Sequence, residues 1–151
     1  MNIKIVTNAD KTKNLLNKLR IGLNNPKEPL EKSIKWLEKD TQENFKGEGK
    51  LYGGWKRLAA RTVRERKALG YGGEHPILQR TGKLKGGFVT RVEGNKVATI
   101  KNKVEYFEVH QLGNSKLRVP KRTMLDVRTE GINAIIKYFV DWIVNLTKSY
   151  L

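Results

Sequence analysis

"GGFVTRVEGNKVATIKN", residues 86–102, decides the fold class. β-branched residues stand on both sides of Glu93-Gly94-Asn95-Lys96. Such side chains lose rotamer freedom in a helix, and a Gly-Asn pair supplies a tight turn. The stretch therefore reads as a hairpin of two strands.

Outward from it, the pattern turns helical. Towards the C-terminus, Ile132, Ile135, Ile136, Phe139, Val140, Ile143 and Leu146 make a broad apolar face over about five turns. Lys137, Asp141, Asn145 and Lys148 face away, and Tyr138 and Trp142 flank the face. This helix belongs either to the core or to a contact between copies. Towards the N-terminus, "NADKTKNLLNKLRIG" (8–22) is a helix with Asn8 or Asp10 as cap, Leu15, Leu16 and Leu19 on its apolar side, and Gly22 as its stop. Pro26 and Pro29 suit the first turn of a second helix, with a stripe of Leu30, Ile34, Leu37, Thr41 and Phe45. "KRLAARTVRERKALG" (56–70) is a short third helix between two glycine-rich loops, "KGEGKLYGGW" (46–55) and "YGGEHP" (71–76). "MNIKIV" (1–6) alternates like a short strand. "VEYFEVHQLG" (104–113) is helical or extended and ends at Gly113, and "KLRVPKRTML" (116–125) is extended up to Pro120. The expectation is α+β: long N-terminal and C-terminal helices packed on a small, mostly antiparallel sheet, with residues 1–151 as a single domain.

The net charge is +16, and the middle third, residues 51–100, carries 11 basic and 3 acidic side chains. That balance favours an acidic partner: nucleic acid, an anionic membrane or an acidic protein surface. Cysteine is absent, which excludes disulfides and thiol chemistry. The first ten residues lack the apolar run of a secretory signal, and the apolar stretch 132–146 is interrupted by polar residues. A soluble protein made in a cytoplasm is expected.

Catalytic patterns are missing. His110 has Glu108 two residues before it and Ser115 five after, yet no G-x-S-x-G elbow exists. His75 and His110 lie far apart, H-E-x-x-H is absent, and no metal site is expected. "TGKL" (81–84) and "GEGKL" (47–51) put leucine where a phosphate loop needs Ser or Thr. No cofactor is implied. A basic cluster of Lys56, Arg57, Arg61, Arg64, Arg66 and Lys67, with Trp55 and Tyr52 beside it, could hold phosphates while an aromatic ring stacks on a base. It could equally be a solvated helix face or a patch for an acidic partner.

Three fragments in order then form a pattern. They are "FKGEGKLYGGWKRLAARTVRERK" (45–67), "HPILQRTGKLKGGF" (75–88) and "YFEVHQLGNSKLRVPKRTML" (106–125). Together they resemble the virion morphogenesis family of tailed bacteriophages, the tail-completion proteins of Mu-like phages. The resemblance is carried by Phe45, Gly54, Trp55, Leu58 and Thr62, by Ile77, Leu78, Thr81, Gly82 and Leu84, and by Tyr106, His110, Gln111, Gly113, Val119, Pro120, Arg122 and Leu125. It implies a non-enzymatic structural protein of the tail-neck region. Such a protein completes the head-proximal end of the tail and enables head-tail joining. It works among other tail and neck proteins, as a ring of copies, in contact with packaged DNA and not with a membrane. It resides in the virion, and in the host cytoplasm during assembly. On this reading Tyr106–Leu125 is a turn and docking edge. His110 and Gln111 hydrogen-bond the backbone around Gly113. Val119 and Pro120 set an extended path that presents Lys121 and Arg122, with Arg118 beside them.

Overall fold

The computed structural model describes residues 9–150. In chain order the elements are α1 (Ala9–Leu23), α2 (Lys27–Lys46), a 3-10 turn (Lys50–Tyr52), α3 (Ala60–Ala68), α4 (Lys83–Gly86), β1 (Phe88–Glu93), β2 (Val97–Asn102), α5 (Phe107–Leu112) and α6 (Thr129–Lys148). The expected N-terminal strand 1–6 lies outside the described residues.

The hairpin forms where its residues predict it. β1 and β2 pair antiparallel from Phe88↔Asn102 to Glu93↔Val97. Gly94 (φ 54°) and Asn95 (φ 55°) both take positive φ. That is what a primed hairpin turn requires and what a Gly-Asn pair tolerates. The fold is α+β, with α2 as its middle layer: one side of α2 lies against both strands, and α6 packs along another.

The predicted stripe of α2 points inward, with Ile34, Thr41 and Phe45 buried. Besides Pro29, its other buried positions are polar, namely Ser33, Asp40 and Asn44. A helix covered on two sides must find partners for such groups. The Ser33 hydroxyl donates to the Pro29 carbonyl at 2.7 Å. Asp40 accepts from Arg128 at the start of α6. The Tyr52 hydroxyl lies 2.9 Å from the Asp40 carboxylate and 2.7 Å from the Asp126 carbonyl. Burial, and then the Asp40 carboxylate, push the Tyr52 phenol well above its ordinary pKa. α6 comes in closely at two glycines. A Cβ on Gly22 would lie 2.6 Å from Leu146, and one on Gly131 2.5 Å from Trp36.

The apolar core sits at the C-terminal end of α2, formed by Phe45, Trp55, Ile77, Leu84 and Met124. Three edge-on ring contacts tie it together: Phe45–Trp55 at 5.1 Å, Phe45–Phe88 at 5.9 Å and Phe88–Phe107 at 5.6 Å. Each is worth roughly 0.5–1.5 kcal/mol beyond its buried area.

The third helix is shorter than its sequence pattern. Ala59 is extended (φ −63°, ψ 145°), and α3 begins only at Ala60. The carbonyls of Lys56 and Arg57 accept from the Arg122 guanidinium at 2.9 and 3.0 Å, which holds 56–57 outside the helix.

Candidate docking surface

The stretch from α5 to residue 125 is built by side chains that stand in for a neighbouring strand. Gly113 ends α5 with φ 80°, and a Cβ there would lie 2.7 Å from the Lys121 nitrogen. Only glycine allows the chain to return so closely. Asn114 and Val119 exchange two 2.8 Å backbone hydrogen bonds, closing a tight loop. The Arg122 N–H then donates to the His110 carbonyl at 2.8 Å. Beyond it, residues 123–125 belong to no helix or strand, and their backbone groups need partners. The Gln111 carbonyl oxygen accepts from Met124 N at 2.8 Å and Leu125 N at 3.2 Å, and its amide donates to Leu125 O at 2.7 Å. The Asn44 amide donates to Thr123 O and Met124 O, and the Trp55 indole N–H to Thr123 O at 2.8 Å.

Several expected site residues therefore stand elsewhere than the sequence placed them. Gln111 does bind backbone, but at Met124 and Leu125 rather than around Gly113. His110 meets the returning chain through its carbonyl, not its ring. Arg122 is not presented: it is 4% exposed and points inward to the Lys56 and Arg57 carbonyls. Lys121 and Arg118 are exposed and Pro120 is half-buried. Trp55 is 8% exposed, edge-on to Phe45 and bonded to Thr123 O, so its face is not open to a base. Gly49 makes room for it, since a Cβ there would lie 2.2 Å from the indole.

The basic cluster is partly neutralised. Arg57 pairs with Glu74 at 2.6 Å and Arg61 with Glu65 at 3.1 Å. Lys56, Arg64 and Lys67 are exposed and have no carboxylate partner among the described residues. His110 makes no hydrogen bond to Ser115 or Glu108, and the described residues hold no group of three metal-ligating side chains.

Beside this clasp lies a cleft of about 230 Å³. The three separate fragments meet in it: Leu58 and Thr62 from the first, Leu78, Thr81 and Leu84 from the second, Tyr106 and His110 from the third. Arg66 and Arg80 complete the wall. Among the described residues three buried side-chain atoms lack a hydrogen-bond partner, and two of them, His110 Nδ1 and Arg66 Nε, belong to this wall. Burial, and then the positive charge of Arg122, lower the His110 pKa, so the ring is neutral at pH 7. The sequence reading put Arg66 in the basic cluster, whereas it is buried in this wall, and it passed over Arg80. The helical spacing of Thr62 and Arg66 was the available signal, since positions four apart share a face.

A second surface is apolar. Ile132, Ile136, Val140, Ile143 and Val144 of α6 are 41–56% exposed. Their spacing places them along one side of the helix, adjoining the less exposed side of Ile135, Phe139 and Trp142. Lys137 and Asp141 pair at 3.0 Å beside the stripe, and Glu130 and Lys148 leave α6 without net charge. No helix among the described residues is long and apolar enough to cross a membrane.

The chain is thus an α+β unit whose buried polar groups hold backbone in place while a cleft and an apolar stripe stay open. The profile of the phage virion morphogenesis family matches residues 7–143. The chain belongs to that family, and its role lies in building a phage particle. The match takes in α1 and most of α6, beyond the fragments in which the resemblance was read. Searches of curated proteins and of solved structures gave no match.

Proposed function

We propose that the chain, acting over its whole length as one structural unit, completes the head-proximal end of a phage tail and prepares it to join the head. It works without a catalytic step or cofactor, as a ring of copies among other tail and neck proteins. It is found in the virion, and in the host cytoplasm during assembly. The family supports the phage role, and the ring follows from the symmetry of tails. The observation that carries the reading is the apolar stripe of α6. In a chain of net charge +16, copies repel one another. α6 is uncharged overall and apolar outside, so copies can meet there. A stable contact of this kind buries on the order of 800 Å² per partner.

The test is negative-stain microscopy of particles from a producer lacking this gene. Filled heads beside separate tails are expected. Abnormally long tails would move the role to ending tail growth, and normal particles would overturn the reading.

A second reading is favoured by Lys56, Arg64 and Lys67, which are exposed and unpaired among the described residues: a nucleic-acid contact along the basic face. The two are compatible, since DNA passes through this part of a particle.

A further inference from the structure

Two cations on the cleft wall face no carboxylate. Arg66 is 3% exposed, and its guanidinium is held by the carbonyls of Tyr71, Glu74 and Pro76. The carbonyls accept from its two terminal nitrogens, leave Nε without a partner, and do not compensate its charge. Arg80, exposed at the mouth, lies over the Tyr71 ring at 5.6 Å and makes no ion pair among the described residues. Arg122 adds a second buried positive charge, behind His110. Beneath these charges the lining is hydrocarbon, supplied by Leu58, Leu78 and Leu84. The volume of about 230 Å³ falls below the roughly 300–1,000 Å³ of small-molecule sites. It suits one large side chain.

We propose that this cleft anchors an acidic segment of a neighbouring virion protein. One aromatic or long aliphatic side chain of that segment enters between the leucines. An adjoining aspartate or glutamate meets Arg80 in the positive field of Arg66. A polar atom of the segment's backbone pairs with His110 Nδ1. Charge complementarity decides the partner: a basic or neutral segment would leave the buried guanidinium of Arg66 uncompensated, and an acidic one relieves it. The proposal rests on the reading of the chain as an assembly protein and names the chemistry of what it receives.

The test uses the purified full chain and a displayed library of random heptapeptides. Enriched sequences are expected to carry an aromatic or leucine next to Asp or Glu. The best of them, made as a free peptide, should lose binding to Thr62→Trp, which fills the cleft. It should bind Arg80→Glu about tenfold more weakly, as the loss of a charge-assisted hydrogen bond predicts. Arg80 is exposed, so that variant keeps its fold. No enrichment, enrichment of basic or purely apolar peptides, or binding untouched by Arg80→Glu overturns the proposal. So does displacement of the peptide by a single-stranded oligothymidylate, which would assign the cleft to nucleic acid. If peptides fail while the gene deletion still separates heads from tails, the anchor site alone is lost. Normal particles with peptide binding intact would end the tail-completion reading instead.

Discussion

Gln111 replaces a neighbouring strand with one amide. Its three hydrogen bonds reach residues 13 and 14 positions on. Gln111→Ala leaves backbone groups of Met124 and Leu125 without partners beside the core. It should lower unfolding free energy by about 3 kcal/mol in urea titration. The resemblance led to the expectation that Gln111 binds the backbone around Gly113; the backbone it does bind is at Met124 and Leu125, because the partner is set by where the chain returns. Trp55 was misread for a related reason. An indole among arginines looks like a stacking platform until Phe45, Gly49 and the Thr123 carbonyl are seen to enclose it. His110 supplies a prediction with a sign. Its ring is neutral when folded, whereas in the unfolded chain it takes up a proton near pH 6.5. Below that pH the unfolded state binds a proton that the folded state refuses. Stability therefore falls as pH drops through 6.5 and levels off below the folded pKa. His110→Gln should flatten the curve, measured as wild type minus variant between pH 7 and 5.

At the scale of elements, the hairpin and the two long helices were legible because each repeats one period over many residues. The start of α3 was not, because the guanidinium that holds 56–57 out of the helix comes from residue 122. α6 shows what periodicity leaves open. Its apolar face is too broad for one contact, and the structure divides it into a side on α2 and a side in solvent. Ile136→Glu changes a side chain that is 56% exposed, so folding should shift by no more than about 0.5 kcal/mol. Self-association, followed by sedimentation velocity at matched concentrations, should be lost. Association equal to wild type would remove α6 as the contact between copies.

For the whole molecule, a net charge of +16 favours an acidic partner without naming one, and the structure redistributes that charge. Some arginines are paired on the surface, and Arg66 and Arg122 are spent inside. The nucleic-acid reading now depends on fewer groups. If it holds, affinity for a DNA duplex falls steeply with salt, and reversing Arg64 and Lys67 to glutamate lowers the slope of log affinity against log salt by about 2. A salt-independent affinity would end it. The clasp around Met124 has a further consequence, in time rather than in space. It joins Asn44 to Thr123 and Met124 across 79 and 80 positions, and Asp40 to Arg128 across 88. Contacts so distant in sequence make for slow folding, since the loop must close before any of them is gained. As the chain leaves the ribosome, α2 can coil early and meet the hairpin, but the partners of its buried Asn44 and Asp40 emerge only with residues 123–128. The fold is therefore completed late, and a nascent chain stalled short of that point leaves the Asn44 amide and the Asp40 carboxylate without the partners they have in the finished protein.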